Sequence, residues 1–229
     1  METAEEIWER ANEKLSGKNF SACGMLEQFK VKALCTTDDP ADELPHHEKI
    51  KNDSLACKVY PTFRPDRSWG IDHASNFTKW IEKLENTSGL EISNFSEFLN
   101  SLTKRLEDFH ELGSRLSDHS FPYFFATFPN EQEASDLFDQ TMNDKNATQV
   151  EKEKFGSFIM LFLARWYSSK NWTMQIHLGP LRNNSSRLLR EFGPDAGTDS
   201  IGDWSQAEKM SAFLNHLDNE NALPKTIVY

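Results

Sequence analysis

The sequence is short of positive charge, of long apolar runs and of cysteine. Its 229 residues carry 25 Lys and Arg against 36 Asp and Glu, which gives a formal net charge of −11. Nucleic acids and anionic membranes attract positive surfaces, so this balance argues against both as partners, although arginines gathered locally can still hold a small anion. The longest purely apolar run, Phe158–Ala164, is far shorter than the roughly 20 residues of a membrane span.

The three cysteines are Cys23, Cys35 and Cys57, and no C-x-x-C spacing occurs. An odd number without paired spacing predicts neither a disulfide framework nor a structural zinc site. Because free cysteine is usually buried, we expect three reduced core residues. The N-terminal stretch METAEEIWER lacks the character of a signal peptide, so we expect a cytoplasmic protein.

Several motifs of well-defined enzyme classes are also missing. The sequence has no G-x-G-x-x-G or P-loop phosphate motif, no G-x-S-x-G nucleophile elbow and no H-E-x-x-H zinc motif. No hairpin signal such as Asn-Gly separates the segments that read as strands. The adjacent pair His46 and His47 cannot chelate one metal from one helix face, since neighbouring helical residues point in different directions.

Short strand-like segments alternate with segments of helical periodicity along most of the chain. A helical lead-in over residues 1–30 begins with a capping box formed by Thr3 and Glu6. The predicted strands are 31–37, 55–63, 114–119, 172–181 and 223–229. The predicted helices after the lead-in are 41–51, 74–86, 94–112, 130–143, 148–169, 185–192 and 204–219.

Strands separated by helices predict parallel β/α units, hence the α/β fold class. Both a (β/α)8 barrel and an open doubly wound sheet place ligands at the carboxyl ends of parallel strands. The lack of a glycine-rich phosphate motif favours the barrel. We therefore expect residues 1–229 to form one TIM-type barrel domain, with β/α units over 31–229.

Polar clusters follow the predicted middle strands and supply the candidate site residues. Arg64 follows the second strand, Asp118 closes the third, and His177 lies near the end of the fourth, followed by Arg182. Neighbouring strand residues face opposite ways, so at most one of Asp118 and His119 is expected in a site. These groups suit proton transfer on a small polar anion, but no nucleophile is identified.

Six motifs in this order resemble those of the uronate (glucuronate) isomerase family, and the resemblance runs over essentially the whole chain. They are Thr36-Thr-Asp-Asp-Pro40, Phe63-Arg-Pro-Asp66, Ser117-Asp-His119, His177-Leu-Gly-Pro-Leu-Arg-Asn-Asn184, Gly193-Pro-Asp195 with Asp199-Ser-Ile201, and Leu223-Pro-Lys-Thr-Ile227.

The resemblance implies an amidohydrolase-like, metal-bearing barrel that interconverts D-glucuronate with D-fructuronate, and D-galacturonate with D-tagaturonate, in hexuronate catabolism. It implies Arg64 as a substrate-binding residue and His177 and Asp118 as catalytic ones. Arg182 is a further substrate-binding candidate, chosen only because it closely follows His177. It also implies a small hexuronate substrate, and zinc or another divalent metal in a complete family member. Assembly into a homo-oligomer is compatible with the resemblance.

The sequence departs from the family pattern, because it contains no His-x-His strand and no strand with the family's metal-binding Asp followed by Arg. By comparison with the family, we therefore expect one incomplete barrel domain, corresponding to about strands 2–6, that binds metal poorly and is inactive alone. Two alternatives stay open: a non-catalytic truncated barrel fragment, and an amidohydrolase-type hydrolase.

Overall fold

The computed structural model describes residues 2–53 and 55–229. The chain packs as two compact units, the first made of Met1–Thr36 and Leu44–Pro61 and the second of Thr37–Glu43 and Thr62–Tyr229. The prediction of a single domain stays a prediction.

The first compact unit is mostly helical and includes a small parallel sheet. Its elements are α1 (Ala4–Leu15), a 3-10 turn (Lys18–Phe20), α2 (Ala22–Gln28), β1 (Ala33–Cys35), α3 (Pro45–Lys51) and β2 (Lys58–Tyr60). The predicted capping box at Thr3 and Glu6 is present at the start of α1. Strands β1 and β2 pair in parallel, as expected.

The apolar side chains of α1, including Trp8 and Leu15, are exposed. The expectation that all three cysteines are core residues is wrong. Of the three cysteines only Cys57 is buried, because Cys23 lies on a helix without buried residues and Cys35 on an exposed strand. A general tendency of cysteine to be buried cannot override elements that are themselves exposed.

The second compact unit contains the remaining β/α elements. They are a 3-10 turn (Asp66–Trp69), α4 (Ala74–Ser88), α5 (Phe95–Glu111), β3 (Leu116–Phe121), α6 (Glu131–Met142), α7 (Gln149–Ser169), β4 (Thr173–Leu178), β5 (Pro180–Leu181), α8 (Ser186–Phe192), β6 (Ser200–Ile201), α9 (Ala207–Asn219) and β7 (Lys225–Val228). Strands β3, β4 and β7 form a parallel sheet in that order. The parallel β/α arrangement predicted from the sequence is confirmed.

Aromatic side chains from four helices fill the core of the second compact unit. Phe77 of α4 contacts Phe98 of α5, Phe138 of α6 and Phe155 of α7 with ring centroids 6.0 to 6.4 Å apart. Each of these four rings is at most 2% exposed. Burial of such rings, at about 1.5–3 kcal/mol or more each, fixes the helices on which the parallel sheet rests.

The predicted strand 172–181 is shorter than expected, because Gly179 interrupts it with a φ of +91°. That conformation suits glycine and ends the regular pairing of β4. The chain then enters β5, which pairs antiparallel with β6, an arrangement that no hairpin signal predicted. Within the residues described, none of the helices has the length and apolar character that crossing a membrane requires.

Candidate functional site

The site begins where three extended segments of the second compact unit lie side by side. Phe63 forms parallel bridges with Asp38 on one side and Ser117 on the other. The Phe63 ring is fully buried and packs edge-on against Phe109, with centroids 5.1 Å apart. Because successive side chains of an extended segment point to opposite faces, the next residue, Arg64, turns away from the helices.

Two carboxylates hold the Arg64 guanidinium. Its Nε donates to Asp66 Oδ2 at 3.0 Å, and its Nη1 lies 3.4 Å from Asp118 Oδ2. The Arg64 backbone N–H donates to the Asp38 carbonyl at 2.9 Å, which ties the residue to the neighbouring segment. The side chain is 31% exposed, so part of the guanidinium remains open to a ligand. An arginine held in this way suits a carboxylate or adjacent hydroxyls.

Asp66 links Arg64 to β3. Besides accepting from Arg64, its carboxylate accepts a hydrogen bond from the Ser120 backbone N–H at 3.2 Å. Burial raises the pKa of Asp66 to about 6, although Arg64 and the Ser120 N–H favour the charged form. In the sequence Asp66 stands out only as the last residue of the motif Phe63-Arg-Pro-Asp66. Its position two residues after Arg64 was the available signal for this pair.

The motif Ser117-Asp118-His119 divides between the two faces of β3. Asp118 shares the face of Arg64, and Ser120 lies on that face beside it. His119 points to the opposite face, where it is fully buried and its Nε2 lies 3.0 Å from Ser117 Oγ. Burial lowers the pKa of His119 to about 3, so its ring is neutral near pH 7. The two side chains thus point to opposite faces of β3; that at most one of them enters the site stays a prediction.

His177 lies on β4 directly across from Ser120 in the parallel register. Register partners in a parallel pair share a face, so His177 lies on the Asp118 side of the sheet. Its ring stacks on Tyr229 with centroids 5.1 Å apart. The Tyr229 hydroxyl donates to Asp118 Oδ1 at 2.9 Å, and burial together with this hydrogen bond raises the pKa of the phenol. Tyr229 therefore connects His177 to Asp118.

Arg182 is engaged by the protein itself. It forms an ion pair with Asp199, and its Nη2 lies 3.3 Å from Ser120 Oγ. The Asp199 carboxylate also accepts from the Asn183 backbone N–H, and both contacts lower its pKa. The side chain of Arg182 remains 42% exposed, and its contact with Ser120 places it beside the β3 face that carries Asp118.

The structure thus connects all four predicted site residues through Asp66, Ser120 and Tyr229, three residues that sequence reasoning missed. Nothing in the sequence marked Ser120 or Tyr229 as a site residue. Ser120 only follows the motif Ser117-Asp-His119, and Tyr229 is the last residue of the predicted strand 223–229. A cavity of about 290 Å³ opens beside this group and is lined by Arg64, Asp66, Arg67 and carboxylates of the Asp38–Asp42 segment. Its size and mixed charge suit a small polar ligand.

The residues of the site do not form a metal-ligand set. Over the described ranges, no three His, Cys, Asp or Glu side chains lie close enough together to bind one metal ion. Arg64 occupies the space between Asp66 and Asp118, where its positive charge would oppose a cation. Zinc sites need three or four converging ligands, so the side chains of residues 2–53 and 55–229 do not fit the metal that the family resemblance implies.

Comparison with known proteins gives one consistent result. A family model described as glucuronate isomerase matches residues 1–229. The uronate isomerase of Solibacter usitatus is 45% identical over 228 residues, which cover 100% of this chain and 49% of the relative. The uronate isomerase of Caldanaerobacter subterraneus is 44% identical, over 99% of this chain and 49% of the relative.

Solved structures agree with this match. The uronate isomerase of Thermotoga maritima superposes with a TM-score of 0.90 at 33% identity, over 99% of this chain and 49% of that one. The glucuronate isomerase of Caulobacter crescentus, at 24% identity, supports the fold alone with a TM-score of 0.87. The predicted α/β class, part of a TIM-type barrel, is confirmed. The chain spans about half the length of the curated relatives it matches.

Proposed function

The chain belongs to the glucuronate isomerase family, and from this premise we propose that it supplies the sugar-acid-binding part of an aldose–ketose isomerase site. The proposed reactions interconvert D-glucuronate with D-fructuronate and D-galacturonate with D-tagaturonate. The observation that carries the proposal is the partly exposed Arg64 guanidinium, held by Asp66 and Asp118 at the strand ends.

Arg64 is proposed to bind the carboxylate or hydroxyls of the hexuronate. One guanidinium can keep its ion pairs to Asp66 and Asp118 and still donate to a ligand, because it has five N–H donors. Arg182 is proposed as a second substrate-binding residue at the edge of the site. Its ion pair with Asp199 makes this a contact to peripheral hydroxyls rather than the main anchor.

His177 and Asp118 are proposed to act at the reacting end of the sugar. Isomerisation moves a proton between adjacent carbons and requires groups that orient the carbonyl and hydroxyl oxygens. The stacked Tyr229 ring fixes the His177 imidazole for that task. Asp118, which accepts from Tyr229 and faces Arg64, is proposed to position both neighbours.

The divalent metal of the family is not assigned to this chain's residues, because the described side chains do not form a ligand set for it. For this reason we expect the purified chain to bind hexuronates without measurable turnover. A cytoplasmic location, assembly into a homo-oligomer and a single domain over 1–229 belong to the same proposal.

Two rival functions make different predictions. A non-catalytic fragment need not bind sugar acids through Arg64, whereas an amidohydrolase-type hydrolase should cleave amides or lactones. The family match and the relatives named uronate isomerase support the isomerase over the hydrolase.

The proposal is tested by calorimetric titration of the chain with D-glucuronate and with neutral D-glucose. We expect saturable binding of D-glucuronate alone, weakened about tenfold or more in Arg64→Gln by the loss of one charge-assisted contact. Arg165→Gln removes an equal charge from an exposed ion pair with Glu220 and serves as the matched control. Equal affinity in both variants, or hydrolysis of amides or lactones, would contradict the proposal.

A further inference from the structure

A second cavity of the second compact unit, of about 580 Å³, lies between the Asp66–Trp69 turn, α4 and the first turn of α7. Asp66 and Arg67 line both this cavity and the smaller one beside Arg64, so the two cavities share a wall. We name the larger one the basic cleft. Its volume lies within the roughly 300–1,000 Å³ typical of small-molecule sites.

The basic cleft is positive in an acidic chain. Its lining contains four cations, Arg67, Lys79, Lys83 and Lys152, against two carboxylates, Asp66 and Asp72. The excess of positive charge contrasts with the formal net charge of −11 for the whole chain. A cleft of one sign within a surface of the other concentrates field lines and attracts oppositely charged ligands.

The spacing of the two lysines in the cleft does not stabilise α4. Lys79 and Lys83 are four residues apart, so they share one helix face, where like charges repel by a few tenths of a kcal/mol. In the part of the chain that the structure describes, neither has a carboxylate within ion-pair distance, whereas Lys152 pairs with Asp72 at 2.9 Å. Two exposed, uncompensated ammonium groups therefore point to a ligand outside the protein's own charges.

We propose that the basic cleft is a capture site for sugar acids, which binds a hexuronate through Lys79 and Lys83 before it reaches Arg64. The inference rests on the proposed function for its substrate class. The shared wall at Asp66 and Arg67 makes the two positions neighbours, so a carboxylate can pass from the lysines toward the guanidinium. Neutral sugars have no reason to enter by this route.

The test is a titration of the ¹⁵N-labelled chain followed by amide chemical shifts, with D-glucuronate, D-glucose and inorganic phosphate as separate probes. We expect D-glucuronate, but not D-glucose, to shift amides of Asn76–Lys83 as well as amides near Arg64. In Lys79→Gln/Lys83→Gln the α4 shifts should require about fivefold more ligand. The matched control, Lys209→Gln/Lys225→Gln, changes the charge equally at two exposed lysines outside the cleft and should leave them unchanged.

Arg64→Gln separates this inference from the proposed function. Persistence of the α4 shifts in Arg64→Gln supports an independent capture site, and their disappearance overturns it. Unchanged α4 shifts in the double lysine variant, or phosphate binding as tightly as D-glucuronate, would also overturn it. Shifts confined to α4 in the unmodified chain would instead refute the Arg64 site while leaving the capture site standing.

Discussion

The two faces of β3 differ in what surrounds them, although their residues alternate along six positions. On the helix side, His119 and Phe121 are buried among aromatic rings, with Phe121 stacked on Trp69 at 5.6 Å. On the other side, Asp118 and Ser120 contact charged groups that remain partly exposed. One face of β3 thus packs in the core and the other holds the candidate site residues. Substitutions on the packed face should mainly change stability, and those on the other face should mainly change charge and binding.

The largest expected effect is on the packed face. Phe121→Ala removes a ring that is 2% exposed, and such a cavity typically lowers the free energy of unfolding by about 3–5 kcal/mol. Urea unfolding followed by tryptophan fluorescence measures this. Ser120→Ala, one residue away on the open face, should change stability by about 1 kcal/mol or less. Similar losses for both variants would mean that the two faces do not differ in packing.

His119→Gln should change how stability depends on pH. The pKa of His119 is about 6.5 when unfolded and about 3 when folded, so between these values only the unfolded chain takes up the proton. The free energy of unfolding therefore rises with pH through this window. The contribution of His119 reaches its full value above about pH 6.5. Gln at 119 should reduce that rise by up to about 1.4 kcal/mol per pH unit. Urea titrations at pH 4.5, 5.5 and 6.5 test it, and an unchanged slope would contradict burial of a neutral ring.

Asp66→Asn, a change beside Arg64, should have the opposite effect on the pH dependence of stability. The pKa of Asp66 rises from 3.8 in the unfolded state to about 6 in the folded state, so the folded chain holds the proton longer. The contribution of Asp66 to the free energy of unfolding is therefore fully present below pH 3.8 and is lost as the pH rises to about 6. Asn at 66 should remove this loss, which makes stability increase more steeply with pH between 4 and 6. A shallower dependence than in the unmodified chain would refute the assignment.

The smallest expected effect is that of Tyr229→Phe. This change removes only the hydroxyl that donates to Asp118 and keeps the ring that stacks on His177. A single hydrogen bond contributes about 0.5–1.5 kcal/mol, so unfolding should become easier by about 1 kcal/mol. Binding of D-glucuronate should weaken by about threefold at most. A loss as large as that of Arg64→Gln would make the hydroxyl a ligand contact in its own right.

The long elements could be predicted from sequence because their patterns are local. Helix α5 has its apolar residues at helical spacing and was expected within two residues of its bounds, Phe95–Glu111. Strands β5 and β6 have two residues each and carry no periodicity, so their antiparallel pairing could not be anticipated. The apolar side chains of α1 are exposed, which shows that a helix with an apolar face need not bury that face.

The same distinction holds for the site. Arg64, Asp118 and His177 could be nominated because each lies at or near the end of a predicted strand. Their connection through Asp66 and Tyr229 depends on register between segments distant in the chain, which no local pattern encodes. The engagement of Arg182 by Asp199 was likewise hidden, because the two are separated by 17 residues and meet only through the folded loop.

The parallel register that sets Asp118 against Gln175 and His119 against Ile176 makes the length of the preceding segment critical. Deleting one residue between Gly113 and Leu116 would shift the strand by one position and exchange the directions of carboxylate and imidazole. The acid would then enter the dry aromatic layer, while the neutral ring would meet Arg64. Insertions should therefore be tolerated in the loop after Phe121 far better than in the few residues that lead into β3.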